Sequence, residues 1–395
     1  MAMALDGVKV LELASFWAAP TAGMLLAEHG AEVIKVESPM GDESRRFTSR
    51  EEHGNESPSF LVVNRNKRGM VVDLRTPEGR EIVRKLALRS DVLVHNYRMD
   101  AAERMGLRYE DLEALNPGLI YVHVSAYGKN GPMARHAGYD VVCQGLAGMM
   151  HRQMPDGTPI GPGIFATDGS AGIMLAYGVA LALLARHRTG RGQMVETSLL
   201  QMAIAIQHVE LVRLEMDRDV PRPPSDRPVI AKPYRCADGQ WVLPVPVGDK
   251  QWAGLCRVMR DSELTTDPKC ATHLLRQANA VEICARLAEI FATRSRDQWL
   301  RRLEEEDVPC SPIVARHEVF DQPQVIANGM SATVDHPAVG RAEMTAVPLS
   351  LSATPGGIRR PSPMQGQHTV EVLRELGYSA AEIDALLKAR VATQA

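Results

Sequence analysis

Three things are scarce in this 395-residue sequence: charge of one sign, clustered cysteine and long apolar runs. Lys and Arg total 45 against 48 Asp and Glu, a net charge of −3, so no global basic field attracts nucleic acid. The six cysteines (Cys143, Cys236, Cys256, Cys270, Cys284, Cys310) are dispersed without a CxxC pair. That excludes a disulfide framework and reads as buried or free thiols of a reducing compartment. The twelve histidines form no HExxH and no Cys/His spacing suited to zinc, so no metal is expected. The longest uncharged apolar run, residues 170–185, is shorter than the roughly 20 residues that cross a bilayer. The first six residues carry no basic or apolar signal-peptide region. A cytoplasmic protein with no membrane or nucleic-acid partner is expected.

What is present is an ordinary globular composition, 45% hydrophobic and 24% charged, and enough chain for two domains at roughly 100–200 residues each. Over the first 125 residues two periods alternate. Residues 8–13 read as strand, 21–29 as helix closed by Gly30, 31–37 as strand and 38–59 as a long polar loop. Residues 70–74 form a strand, after which Thr76-Pro77-Glu78-Gly79 opens a helix with a capping residue and proline at its first position. Residues 91–95 and 119–124 follow as strands. Strands alternating with helices predict an α/β fold whose parallel sheet is covered on both faces.

Gly/Pro-rich stretches at 128–138, 155–163 and 221–233 punctuate the middle, and the last reads as an interdomain linker. Residues 170 to about 215 read as helical with a break at Thr189-Gly190-Arg191-Gly192. Residues 240–247 read as strand, 251–303 as amphipathic helices, 308–312 as extended and 370–388 as an exposed helical pair. Gly161-Pro162-Gly163-Ile164-Phe165-Ala166 fits a dinucleotide pattern formally, but it follows no first strand and reads as a loop. Cys143 follows two valines and reads as a buried structural thiol.

Four segments carry chemistry. In Leu13-Ala14-Ser15-Phe16-Trp17-Ala18-Ala19-Pro20 a strand ends in small residues, which suits either a ligand at a helix N-terminus or close helix–sheet packing. Asn64-Arg65-Asn66-Lys67-Arg68-Gly69, with Arg75 beyond the next strand, suits either a phosphate-rich ligand or a solvated basic turn. Val94-His95-Asn96-Tyr97-Arg98, followed by Arg104-Met105-Gly106, puts polar and basic groups past another strand end. In Phe165-Ala166-Thr167-Asp168-Gly169-Ser170 the aspartate is either a helix N-cap or a nucleophile kept ionised by the helix terminus. Backbone amides near Gly169 or the Ser15-Phe16-Trp17 turn suit an oxyanion. The basic groups around Arg135-His136 and His151-Arg152 suit either a dicarboxylate or solvent.

Taken in order, ELASFWAAP, GAEVIKVESPMGD, NRNKRGMVVDLRTPEGR, VLVHNYRMDAAERMGL, Ala137-Gly138-Tyr139-Asp140, ATDGSAG and RHRTGRGQMVETSL resemble the class III CoA-transferases. That group includes formyl-CoA:oxalate and carnitine CoA-transferases and α-methylacyl-CoA racemases. The resemblance is dense over residues 5–215 and looser beyond, where Asp249-Lys250-Gln251-Trp252 and Val308-Pro309-Cys310-Ser311-Pro312 still fit. It implies a Rossmann-like large domain with an inserted smaller α+β domain in an interlocked homodimer. The implied boundaries are 1–220 for the first part of the large domain, 221–233 for the linker, 234–325 for the small domain and 326–395 for the return.

The resemblance also implies coenzyme A or acyl-CoA as substrate, a small carboxylic acid as second substrate, and no tightly bound cofactor. Trp17, Ala18, Leu74, Arg75, Asn96, Tyr97, Arg98, Arg104, Met105 and Tyr139 would line the CoA site, and Asp168 falls on the catalytic aspartate. The implied reaction transfers CoA from a thioester to a free acid through covalent aspartyl intermediates. The alternatives are an α-methylacyl-CoA racemase or epimerase, and a non-catalytic CoA-ester-binding protein. In the racemase branch a histidine stands where this sequence has Tyr139, and a phenol with pKa near 10 accepts protons poorly at neutral pH. That departure favours transfer.

Overall fold

The structure, a computed structural model, describes residues 2–47, 56–154, 156–217, 229–260 and 262–395. Residues 48–55 of the expected polar loop and 221–228 of the expected linker lie outside the described residues. The chain divides into two compact units, Met1–Arg218 with Ile326–Ala395, and Asp219–Val325.

The larger unit begins with β1 (Lys9–Leu13), α1 (Ala18–Glu28), β2 (Glu32–Glu37), α2 (Pro58–Val63), β3 (Arg68–Val72), α3 (Pro77–Leu88) and β4 (Val92–His95). It continues through α4 (Met99–Arg104), α5 (Tyr109–Glu113), β5 (Ile120–Ser125), α6 (Asp140–Leu146), a short ladder of β6 (Arg152–Gln153) and β7 (Pro159–Ile160), α7 (Ala166–Thr189), β8 (Met194–Ser198) and α8 (Leu199–Ala205). The smaller unit holds β9 (Tyr234–Arg235), β10 (Trp241–Pro244), α9 (Asp249–Met259), α10 (Ser262–Thr266), α11 (His273–Ala278), α12 (Ala280–Phe291), α13 (Arg296–Glu305) and β11 (Cys310–Pro312). After α14 (Pro323–Ala327) come a hairpin of β12 (Ser331–His336) and β13 (Gly340–Thr345), then α15 (Thr369–Glu375), α16 (Ala380–Lys388) and β14 (Ala392–Thr393).

Six strands run parallel in the order β3-β2-β1-β4-β5-β8, and β14 closes the β3 edge antiparallel. Alternate residues face opposite layers, as the strand period requires. Val10, Val92, Val94 and Val122 pack under α1 and α7, whereas Leu11, Leu13, Leu93 and Tyr121 pack under α3 and α15. Thr76 caps α3 as expected, its Oγ1 accepting from Gly79 N at 3.0 Å. The strand order reverses between β1 and β4, so a crevice opens past their carboxyl ends, where ligands of such sheets sit. In the smaller unit, Trp252, Leu255, Phe291, Trp299 and Leu303 form a separate core.

Four expectations are corrected. Residues 194–198, read as helix, are strand β8, because pairing with β5 from Tyr121↔Met194 to Ser125↔Ser198 decides a segment with helical neighbours on both sides. The helix read from Ser170 begins at Ala166 and ends at Gly190, whose φ of 71° makes the left-handed cap. The polar stretch 38–59 is not all loop, since Glu43–Arg45 form a 3-10 turn capped by Asp42 and α2 begins at Pro58. The tail pair is not exposed: Val372, Leu373, Leu376 and Ile383 are buried in the second core.

The full α7, at 24 residues, is long and apolar enough by length and composition to cross a membrane. One side of it packs on the sheet and α1. A Cβ added at Gly172 would stand 2.5 Å from Thr21 Cβ and 2.8 Å from Ala18 O, so the two helices cross in near contact. Its other side leaves Ile173, Tyr177 and Leu184 about 60% exposed.

Candidate active site

The start of α7 lies beside the start of α6, at the carboxyl edge of the sheet. Asp140, the first residue of α6, aims its carboxylate at the first turn of α7. Its Oδ2 accepts from Thr167 N at 2.7 Å, Thr167 Oγ1 at 2.6 Å and Asp168 N at 2.9 Å, and Oδ1 accepts from Gln144 Nε2. These bonds satisfy amides that a helix N-terminus otherwise leaves unpaired. Asp168 is therefore not the N-cap. Phe165 occupies that position with no side-chain cap bond, and Asp168 is the third helical residue.

The two carboxylates stand close together in a buried place, and Asp168 is only 9% exposed. Burial first, and the Asp140 charge second, push the Asp168 carboxyl up to about 7. The expectation that a helix N-terminus keeps it ionised is overturned, because desolvation and a like charge outweigh the helix dipole. Asp168 thus titrates in the neutral range, as acid–base and nucleophilic carboxylates at reacting centres do.

An aromatic wall joins the β1–α1 turn to the two helix starts. Trp17 lies 4.2 Å from Phe165 and 5.0 Å from Phe47 between ring centres, and Phe16 lies 5.5 Å from Tyr139. Trp17, Ala18, Tyr139 and Asp168, singled out from sequence, are thereby brought together. Cys143, beneath them, is wholly buried, and burial pushes its thiol up to about 11, which leaves it inert.

The remaining expected residues lie past β3 and β4 on the same edge. Leu74, Tyr97 and Met105 pack against the second core. The Arg75 side chain is 84% exposed beside Asp73, the Arg104 side chain is 70% exposed beside Asp100, and Arg98 is exposed at the start of α4. Exposed pairs of this kind hold a side chain weakly, so both partnered arginines are available to an anion. Asn96 is engaged by protein: its Oδ1 accepts from Ser15 N at 3.3 Å and its Nδ2 donates to Ser15 O at 2.8 Å, across the strand-order reversal.

The basic turn is a correction. Arg65, Lys67 and Arg68 face neither phosphate nor solvent, because each is buried against carboxylates. Arg65 pairs with Glu28, and Lys67 with Glu12 at 2.7 Å. Arg68 joins Glu32, Glu371 and Glu375 at 2.5–2.7 Å. Glu12 also holds Lys35 at 3.2 Å, and Lys35 reaches Asp42 at 2.8 Å. Burial works against both lysine charges. Asp42, Glu12 and Glu37 outweigh it at Lys35, which is held above the ordinary lysine range. Lys67 has Glu12 as its main support and Lys35 as a repelling neighbour, and falls to about 8. Three of the amides expected to suit an oxyanion are engaged by protein: Gly169 N bonds Phe165 O, Ser15 N bonds Asn96, and Phe16 N bonds Asp42.

Sequence reasoning missed Lys35, Asp42 and Phe47 and gave Asp140 no role. Gly41-Asp42-Glu43-Ser44 does carry a cap signal, since Asp42 accepts from Ser44 N at 2.9 Å. Lys35 signals itself as the one cation of strand β2, between Ile34 and Val36. Among the described residues, no group of three His, Cys, Asp or Glu side chains could hold a metal ion. A cavity of about 360 Å³ lies at the opposite, amino end of β2 and β3, lined by Arg68, Arg359 and Glu371 among others.

The sequence matches CoA-transferase family III over residues 5–369. Succinyl-CoA:glutarate CoA-transferase of Homo sapiens is 35% identical, over 99% of this chain and 90% of its own. Succinyl-CoA–D-citramalate CoA-transferase of Chloroflexus aurantiacus is 34% identical over 94% of each. The crystal structure of a CAIB/BAIF family protein from Brucella suis superposes with a TM-score of 0.82 at 32% identity, covering 95% of this chain and 100% of that one. The chain belongs to CoA-transferase family III, enzymes that move coenzyme A between acyl-CoA thioesters and carboxylic acids.

Proposed function

We propose that this enzyme transfers CoA from succinyl-CoA to a free carboxylic acid, with Asp168 as the covalent nucleophile. Succinyl-CoA stands first in the names of both relatives above. The observation that carries the chemistry is the buried Asp168 carboxylate, raised to about 7 beside Asp140 and next to the aromatic wall.

An Asp168 oxygen attacks the thioester carbonyl; the C–S bond breaks and gives a mixed anhydride and CoA thiolate. The thiolate attacks the Asp168 carbonyl, forms an aspartyl-CoA thioester and expels succinate. The incoming carboxylate attacks that thioester, releasing thiolate again and giving a second anhydride. The thiolate then attacks the incoming acyl carbonyl, leaving a new acyl-CoA and the Asp168 carboxylate. Each pair of steps runs from one thioester through an anhydride to another thioester of similar energy, and held CoA keeps its thiolate at high effective concentration. A carboxylate raised toward 7 is a better nucleophile than one of ordinary pKa, while still half ionised near neutrality.

Trp17, Ala18 and Tyr139 would flank the pantetheine end. Leu74 and Met105 would contact the nucleotide beside Asn96 and Tyr97, with the Arg75, Arg98 and Arg104 guanidiniums reaching its phosphates. A second copy of the chain would cover the exposed apolar side of α7, giving the homodimer. Ile173, Tyr177 and Leu184 together with Leu146 of α6 and Ile204 of α8 leave more apolar surface bare than scattered surface residues do.

Peptide mass after incubation with succinyl-CoA, then hydroxylamine, tests the reading. A hydroxamate at Asp168 that needs succinyl-CoA is expected. Exchange activity with no Asp168 adduct, and undiminished in Asp168→Ala, would overturn it.

A further inference from the structure

The β1–α1 turn, which carries Trp17 and Ala18, is gripped on three successive residues by side chains from elsewhere in the fold. Ala14 O accepts from Lys35 Nζ at 2.6 Å. Ser15 is held at both its N–H and its carbonyl by Asn96. Phe16 N donates to Asp42 Oδ1 at 3.1 Å. Phe16 itself has φ of 62°, a left-handed conformation that a bulky aromatic residue adopts only when its surroundings impose it.

Two of the three gripping groups are one ion pair. Lys35 Nζ and Asp42 Oδ2 are 2.8 Å apart, with side chains 0% and 1% exposed. Asp42 is oriented in turn by Ser44, whose N and Oγ donate to the same Oδ1 at 2.9 and 2.7 Å. So enclosed a pair cannot touch a substrate. Its reach to the site runs through the backbone of the turn, and the turn ends in Trp17, whose ring lies 4.2 Å from Phe165, the N-cap of the Asp168 helix.

We infer that the buried Lys35–Asp42 pair is a positioning device for the acyl-CoA site: it holds Phe16 left-handed, so that Trp17 and Ala18 present one fixed surface beside Asp168. The pair costs the fold a strained residue, and the strain is retained because the relaxed turn would swing Trp17 away. The inference rests on the acyl-CoA reading for the ligand's identity but not for the geometry of the turn.

The test uses the full chain with Asp42→Asn, Lys35→Met and Ser44→Ala, measuring CoA affinity by calorimetry, KM and kcat with succinyl-CoA, and the melting temperature. Asp42→Asn is expected to weaken CoA binding and raise the succinyl-CoA KM by about tenfold or more, with a smaller change in kcat. Ser44→Ala, which leaves the buried charges in place, is expected to do the same by a few-fold. Glycine takes φ of 62° without strain, so Phe16→Gly added to Asp42→Asn is expected to recover part of the lost affinity.

Melting temperatures that fall while affinity and KM stay within twofold of wild type in Asp42→Asn and Ser44→Ala would overturn the inference, leaving the pair a fold element only. Should Asp42→Asn not fold, Ser44→Ala decides it by the same criterion. Wild-type chain that binds no CoA would overturn the acyl-CoA reading alone. The turn is then read from Trp17 emission, taken as the difference from Trp17→Phe: a shift in Ser44→Ala supports positioning, and an unchanged spectrum refutes it.

Discussion

Two buried polar clusters obey opposite rules. Around Glu12, Lys35, Asp42 and Lys67, every charge meets an opposite one within 3.2 Å, and the side chains are 0–1% exposed. At Asp140 and Asp168 a carboxylate meets a carboxylate, and the amides at the start of α7 donate to Asp140 rather than to Asp168. Both clusters involve desolvated charge, so burial alone does not mark a reacting group. What separates them is whether the charge has an opposite one in contact, even where, as at Lys67, that contact offsets burial only in part. Compensated charge builds the scaffold, while uncompensated charge is held ready for a partner that arrives with the substrate.

Removing the uncompensated charge gives the largest expected effect, and with a split sign. Asp168→Asn should abolish CoA exchange by at least about a thousandfold while raising stability. A carboxyl whose folded pKa lies near 7, above its unfolded value, binds its proton more tightly in the native state. The wild type therefore loses stability relative to the variant as pH rises from about 4 to 7, and the gap stays constant above that. Denaturant melts of the two proteins at pH 5 and pH 8 check this: a midpoint gain at pH 8 no larger than at pH 5 would contradict it.

Breaking the compensated cluster should act the other way. Lys67→Met strands Glu12 with half its support and should lower stability by about 3–5 kcal/mol, read as a fall in urea midpoint. Gly23→Ala attacks the same cluster from α1, since its Cβ would stand 1.9 Å from Glu12 Oε2. Because Lys67 fastens that oxygen, the expected loss is about 1–3 kcal/mol. A neutral result for Gly23→Ala would mean the network yields easily and is a poorer scaffold than its geometry suggests.

The smallest effect sharpens the other half of the comparison. The donor half-reaction should slow below an apparent pKa near 7, because attack needs the ionised Asp168. Asp140→Asn removes the like charge and should move that limb to lower pH, a few-fold change in relative rate at pH 6. A limb that stays in place would assign the raised pKa to burial alone.

How much of this was legible in the sequence varies from one residue to the next. The alternation of strand and helix up to Ser125 was readable because parallel strands buried on both faces are plain apolar runs, and Thr76-Pro77 announces its helix by local chemistry. Strand β8 was not, since Met194-Val195-Glu196-Thr197-Ser198 has no period of its own and becomes a strand by pairing with β5. Asp168 was legible as a position but not as a state: the bonds that free it come from Asp140, 28 residues away. The cations of residues 65–68 suit either a phosphate or solvent in the sequence, because their actual partners, Glu12, Glu28, Glu32, Glu371 and Glu375, are scattered along the chain.

The sequence by itself determined the α/β class, the family and, apart from the basic turn at residues 64–69, the segments that gather at one edge of the sheet, because period, capping and ordered blocks are local properties. Only the tertiary structure decided which of the charges meet an opposite one. That outcome depends on distances between residues far apart in sequence, and at short range inside a low-dielectric core those distances set whether a charged side chain is scaffold or reagent.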